Sequence, residues 1–465
     1  MLWLALQFPA LALESVPASL AGPRVVADRF VRLADAEATR AGVRIGSTLA
    51  SARALLPTLV VIAPTDGRHT IALEDLAPRL GASTSVVSID SDGPALLGEI
   101  GASTRLFGGV AETIRHVLDA FADTGITVAW AVAPTPGAAL ILATERPHMV
   151  VTEPGGVADA LSPLPVQCLP LADKLIAQLV RVGVHRIGEI LQLPRAGLAR
   201  RLGVASVQTL DKLLGGTPDL RARWTAPEHF ERRMEWPDAV EQLEAISFPL
   251  RRLVGDMASY LSMRAQRGTV WRLVLEHERI ASSNIDIASA AGGADAAHLY
   301  ATSYERLAST GLPAPVVAMR LHLVATRESP RESDSLFSDS TAGERAAALI
   351  DRLQARLGTD AVYGLQGTAD ARPEMSQRPV PAGQAMPATL RARCRPSWLL
   401  AVPQPLGPTP TELSMIAGPE RIESGWWDGD DARRDYFLAQ NAHGQTLWIY
   451  RDVRAGGWFV HGMFG

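Results

Sequence analysis

Residues 86–100 read Val86-Val-Ser-Ile-Asp90-Ser-Asp-Gly-Pro94-Ala-Leu-Leu-Gly-Glu-Ile100. Two apolar runs, Val86–Ile89 and Ala95–Ile100, flank an Asp-Ser-Asp-Gly-Pro turn whose residues favour chain reversal. The pattern predicts a β-hairpin with both strands in a core. Working outward, residues 3–8 and Leu59–Ile62 also read as strands. Ala34–Gly42 and Ala50–Leu56 read as short helices, the second stopped by Pro57. Downstream, Val110–Asp123 has the period of an amphipathic helix and leads into a strand at Thr127–Ala133. Strands and helices mix without strict alternation, so the fold class is α+β.

At 465 residues the chain exceeds one ordinary core and is expected to be multidomain. Residues 1–164 form the mixed region just described. Residues 165–232 read as helical, with Asp173–Val182, Arg186–Gln192 and Arg195–Leu202 joined by Gly-containing turns. Within them, Leu179-Val-Arg-Val-Gly183-Val-His-Arg-Ile187-Gly-Glu-Ile190 has the form of a helix–hairpin–helix. Such a Gly turn can expose backbone N–H groups to a phosphate; an ordinary helical connector is the plainer alternative. Residues 233–327 read as a small α/β domain: helix Leu243–Arg264, strand Trp271–Glu276, helix Ala297–Leu307 and the alternating strand Val316–Val324. Residues 328–396 read as a linker carrying one helix, Gly343–Leu357, and a stretch, Gln366–Pro396, with five prolines. Residues 397–465 hold five of the ten tryptophans, which calls for a small folded module.

The formal net charge is −4, yet from Lys174 to Arg272 there are 16 Lys/Arg against 10 Asp/Glu, an excess of +6. An anionic partner is to be sought there. Candidates are Arg181, Arg186, Arg200 and Arg201 around Gly183, and Arg251, Arg252, Arg264, Arg267 and Arg272 beyond them. Arginines of this kind hold phosphates without reading bases. The two cysteines, Cys168 and Cys394, exclude a disulfide framework and a cysteine-based zinc site. The apolar start has no basic flank and is interrupted by Pro9 and Glu14, so a buried strand is expected rather than a signal peptide. No window offers a membrane span, and a cytoplasmic protein is expected.

The order of these parts resembles the Y-family DNA polymerases over residues 1 to 327. The resemblance rests on the strand ending at Glu14, on Gly42-Val-Arg-Ile-Gly46 with Ala54-Leu-Leu-Pro-Thr-Leu-Val-Val61, on Ser88-Ile-Asp90 with Arg105-Leu-Phe-Gly108, and on Leu164-Pro-Val through Gly215-Gly-Thr-Pro-Asp219. It implies a palm with fingers (1–164, fingers near 20–75), a helix–hairpin–helix thumb (165–232) and an α/β little finger (233–327). The tail, with Gly418-Pro-Glu-Arg-Ile-Glu-Ser-Gly-Trp426-Trp427, is similar to that of the ImuB branch of this family.

Where the family carries its chemistry, this chain departs from it. Nucleotidyl transfer needs two metal ions held by carboxylates. Laid on the family's first motif, Ala5 and Gln7 stand for the metal-binding aspartate and its companion, and Ala10 for the ribose-excluding aromatic. In the second motif Asp90 survives and Ser91 replaces the glutamate; in the other register Gly93 and Pro94 replace the pair. Ala36 and Thr39 stand for the Tyr and Arg that grip the triphosphate, and Pro136 and Leu140 for two lysines. The resemblance therefore implies a pseudo-polymerase without metal or cofactor, acting as a DNA-bound scaffold in translesion synthesis and induced mutagenesis. Implied partners are damaged or primed DNA, an error-prone DnaE-type polymerase, ImuA, the sliding clamp and RecA. The competing readings are a working divergent polymerase using Asp90, Asp92 and Glu99, and an interaction module without DNA binding. Ser333-Asp-Ser-Leu336-Phe337 resembles a clamp-docking peptide lacking its glutamine. In the tail, Trp426, Trp427, Arg421, Tyr436, Trp448 and Trp458 are candidate partner-docking residues, with aromatic anchors and a charged rim.

Overall fold

The computed structural model describes residues 1–15, 22–64, 68–329, 340–383, 395–407 and 410–464. Leu336, Phe337 and Cys394 lie outside them. The chain divides into two compact units, Met1–Asp339 and Ser340–Gly465.

The first unit is organised by an antiparallel sheet of four strands in the order Val87–Ile89, Ala95–Glu99, Trp3–Gln7, Ala129–Ala133. The hairpin of residues 86–100 forms as its pattern predicts. Trp3–Gln7 is central and covered on both faces, which is why it reads as a continuous apolar run. On one face Leu4, Leu6, Leu96 and Val132 pack against helices Arg68–Gly81 and Val110–Asp119. On the other, Trp3, Ala5, Leu97, Ala131 and Ala133 share a core with helix Pro136–Glu145 and with the helical block, through Leu179, Ile187, Leu198 and Leu210. Small residues on both partners, Ala131 and Ala133 against Ala138, Ala139 and Ala143, let that helix lie close to the sheet.

A second, three-stranded sheet pairs Arg24–Ala27 with Val31–Ala34 and, in parallel, with Val60–Ile62. Its two helices, Ala36–Arg40 and Leu49–Leu55, start at the side-chain caps Asp35 and Thr48. The helical block comprises Asp173–Arg181, Ile187–Leu191, Arg195–Leu202 and Val204–Leu214. The α/β part is an antiparallel sheet in the order Ser283–Gly293, Gln266–His277, Val316–Glu328, Glu231–Val240. Helices Leu243–Met263 and Ala296–Thr310 cover one face, over Trp271, Leu273, Met319 and Leu321.

Helix Leu243–Met263 packs on helix Arg68–Gly81 around a buried charge bracket. Arg79, 2% exposed, donates through Nε to Asp256 at 2.7 Å and through its two terminal nitrogens to Asp123. A second pair, Arg232–Asp75 at 3.1 Å, lies nearby. Burial pushes the Asp256 carboxyl up and Arg79 pulls it back, so the buried carboxylate depends on its guanidinium.

The second unit has helix Ser340–Leu357, a hairpin of Tyr363–Gly367 with Gln377–Pro381, and a five-stranded antiparallel sheet. The sheet order is Trp398–Gly407, Trp458–Met463, Thr446–Asp452, Ala432–Gln440, Ser414–Ser424. The sequence reading of Gln366–Pro396 as a spacer is therefore corrected over its first part. Residues 366–381 pair as a strand hairpin, and Arg372 inside it is buried against the loop after Ser424. Proline content misleads here because Pro379 and Pro381 lie in one strand of an isolated two-stranded hairpin, where proline is tolerated.

Candidate functional site: the sheet face of Ala5 and Asp90

The sheet face that the polymerase motifs point to is defined by register. Asp90 donates its N–H to Ala95, Ala95 pairs with Gln7, and Gln7 with Ala129. The next row is Ser88, Leu97, Ala5 and Ala131. Residues directly opposite share a face, so these eight side chains point the same way. Two hard cations need several converging oxygen ligands. This face offers methyl and isobutyl groups, the buried hydroxyl of Ser88, one half-buried amide and one carboxylate.

That carboxylate is engaged. Arg221, from the connection after the helical block, places Nη1 3.4 Å from Asp90 and Nη2 3.0 Å from Asp219. Burial pushes the Asp90 carboxyl up, while Arg221 draws it down. Of the other acids of the competing reading, Asp92 lies near enough to push the Asp90 carboxyl up, and Glu99 lies far along the strand. Glu99 pairs with Trp3, four residues from Ala95 and so about 13 Å along the strand. Its Oε1 accepts the N–H groups of Leu2 and Gly101 at 3.0 and 3.1 Å. Asp92 is exposed on the turn and accepts from Ser91 Oγ at 3.3 Å. Gly93 and Pro94 complete that turn, with Pro94 accepting the N–H of Phe8. Among the described residues, no group of three or more His, Cys, Asp and Glu is placed to hold a metal ion, and the residues present do not fit a two-metal centre.

Thr39 donates its hydroxyl to Asp35 O within its own helix, and Ala36 is exposed at the start of that helix. Glu14 ends the short helix Leu11–Glu14 and accepts both the N–H and the hydroxyl of Thr127.

The turn at Gly183 adopts φ +85° between Asp173–Arg181 and Ile187–Leu191, as the glycine suggests. Its amides are not available to a phosphate, which corrects the sequence reading. Gly183 N and Val184 N close the first helix onto Val180 O and Leu179 O. His185 N and Arg186 N donate to Glu189 Oε2 at 2.7 and 3.1 Å, and Ile187 N and Gly188 N donate to Leu164 O and Ser162 O. Glu189 occupies the anion place, held below the usual carboxylate range by these amides. The side chains differ: Arg181, Arg186, Arg200 and Arg201 are exposed, and of the four Arg186 faces the Glu189 carboxylate.

The later arginines are mostly engaged. Arg272 makes a bidentate cross-strand pair with Asp286, Arg251 lies 4.9 Å over Tyr300, and Arg252 faces Asp75 and Asp256. Arg267 has a partner of its own, and Arg264, exposed, donates to Pro227 O at 3.2 Å. The open sheet face around Arg272 alternates in sign, with Arg233 and Arg320 both on Glu276.

In the second unit Tyr436 and Trp448 are buried and stacked at 4.1 Å, and Trp458 packs on Phe437 at 5.2 Å. Tyr436 and Trp448 are core, not docking surface, because their sheet face closes over them. Arg421 is paired with Asp435 at 2.7 and 2.9 Å. Trp426 and Trp427 remain outside, 78% and 58% exposed, edge to face in the loop after Gly425. Arg372 fixes that loop: Nη1 donates to Asp428 and to Asp430 O, and Nη2 to Asp428 and Asp370. Asp370 is drawn down to about 2 by the same guanidinium. Gly425 has φ +89°, and a Cβ there would collide with Asp430 O and Arg372. Sequence reasoning missed Arg372 because its partner Asp428 is 56 residues away.

His461, 1% exposed, shares a hydrogen bond of 2.8 Å with Tyr436, which also accepts from Arg434; Glu374 lies 3.9 Å from the other ring nitrogen. Burial holds its pKa below the ordinary 6.5, against the opposing pull of Glu374. A depressed folded-state value means stability present above the unfolded pKa and lost as pH falls through it. Thermal unfolding followed by tryptophan fluorescence should therefore show the second unit weakening from about pH 7 to about pH 5. His461→Gln should flatten that dependence; an unchanged slope in the variant would assign it to other groups.

No family model matches the chain. Among the described residues no helix is long and apolar enough to cross a membrane. Two solved structures, a ternary complex of Dbh and DinB from Sulfolobus solfataricus, are each 17% identical with a TM-score of 0.37. They cover 70% of this chain, and 100% and 98% of their own. Protein ImuB of Caulobacter vibrioides, in strains NA1000 and ATCC 19089, is 30% identical over 461 residues. With that match spanning 90% of this chain and 99% of the relative, the chain belongs to the ImuB family.

Proposed function

We propose that this protein is a DNA-bound scaffold of DNA damage tolerance that does not itself join nucleotides. One observation carries the reading: the sheet face where a Y-family polymerase would hold two metal ions presents Ala5, Leu97, Ala131 and Gln7 around a single carboxylate, Asp90, already paired with Arg221. The exposed arginines of the helical block supply the DNA grip, through phosphates rather than bases. Damaged or primed DNA is the substrate surface, and an error-prone DnaE-type polymerase performs the synthesis. ImuA, the sliding clamp and RecA complete the assembly, with Trp426 and Trp427 as exposed anchors for one of the proteins.

Clamp recruitment runs through Leu336 and Phe337, an apolar pair in a polar, charged segment, which fits an extended peptide entering a pocket. Leu336→Ala with Phe337→Ala should abolish co-purification with the sliding clamp and leave DNA affinity unchanged. Retained clamp binding would move the contact elsewhere in the chain.

A further inference from the structure

The connection from the helical block to the α/β part does more than span a gap. Arg221 meets both Asp90 and Asp219, Arg223 donates to Ser85 O at 2.6 Å, and Trp224 N donates to Val87 O at 2.7 Å. The segment thus lies along the outer strand Val87–Ile89, and Trp224 packs into the core beneath it. Gly137, at the start of helix Pro136–Glu145, lies alongside this pair. A Cβ there would come within 3.4 Å of Asp219 Oδ2 and 3.7 Å of Arg221 Nη2. Arg221 therefore stands between the end of the Asp90 strand and the start of this helix, where the family's two lysines are replaced by Pro136 and Leu140.

We propose that Arg221 is the resident cation of this face: it replaces the exchangeable divalent ion of a polymerase site and fastens the inter-domain connection to the sheet. The inference rests on the non-catalytic reading and adds a consequence to it, a fold whose stability is indifferent to divalent metal. A guanidinium suits the place because it is permanently charged and offers a fork of N–H donors to the two carboxylates, Asp90 and Asp219. Those side chains are 11% and 12% exposed, so removing the guanidinium leaves two half-desolvated carboxylates facing one space.

The test is thermal unfolding of the full chain with and without manganese chloride at constant ionic strength. The wild type should show no manganese-dependent shift. Arg221→Met should melt lower without metal and recover part of the loss saturably with manganese, and adding Asp90→Asn with Asp219→Asn should remove that recovery. A wild type that gains stability from manganese as the variant does, or an Arg221→Met protein that melts like wild type and ignores manganese, would overturn the proposal. If Arg221→Met does not fold, Asp90→Asn with Asp219→Asn on the wild-type background decides: a lowered melting temperature supports the pairing, and an unchanged one refutes it. Nucleotide incorporation by a manganese-indifferent wild type would refute the non-catalytic reading while sparing this one.

Discussion

Replacing Arg181, Arg186, Arg200 and Arg201 together with alanine is expected to weaken binding to primed duplex DNA on the order of 10²-fold. At roughly 0.7 kcal/mol for each exposed contact, four sum to about 3 kcal/mol. The salt dependence should change with the affinity. Each phosphate neutralised contributes about 0.9 to the slope of log affinity against log salt, so four lost contacts flatten it by about 3–4. These four are chosen because they are exposed along the consecutive elements of the helical block. Arg272→Ala is the matched control: its guanidinium is held by Asp286 at 2.5 and 2.9 Å, and binding should not change. Fluorescence anisotropy across a salt series measures both quantities. Loss in the control, or no loss in the quadruple variant, would place the DNA groove away from the helical block.

The elements that could be read from the sequence are those whose burial is written in local period. The hairpin of residues 86–100 announces itself by two apolar runs around Asp-Gly-Pro, and Val110–Asp119 by a single apolar stripe. Helix Arg68–Gly81 was not legible, because Pro78 in its last turn and His69 and Thr70 in its first break the helical pattern. Strands Glu231–Val240 and Ser283–Gly293 were missed for a different reason. The first carries Arg232, Arg233 and Pro237, and the second is largely small residues, so neither shows strand composition.

The residue types at Ala5, Gln7 and Ser91, on which the proposed loss of chemistry rests, are legible in the sequence. What stands beside Asp90 is not. Arg79, Arg221 and Arg372 carry no local signal of their role, yet each is set against carboxylates far away in sequence: 177 residues for Arg79 with Asp256, 131 for Arg221 with Asp90. Local pattern carries no information about pairs at such separation. The amides at Gly183 show the converse error, since a correct turn was read as an open one, and Glu189 three residues beyond Arg186 was the signal that could have closed it.

Primer extension reports directly on what the face of Ala5 and Asp90 can do. Purified full-length protein, in excess over a primed template, is supplied with all four deoxynucleoside triphosphates and with magnesium or manganese. Excess matters, because it puts every template in complex and lets even very slow chemistry appear as product. Two cations must bridge the triphosphate to the protein for the transfer to proceed, and Asp90, paired with Arg221, cannot hold two alone. No extended primer is expected with either metal, while the same protein retains DNA in a binding assay. Template-directed extension by the wild type that disappears on Asp90→Ala would show a working active site instead.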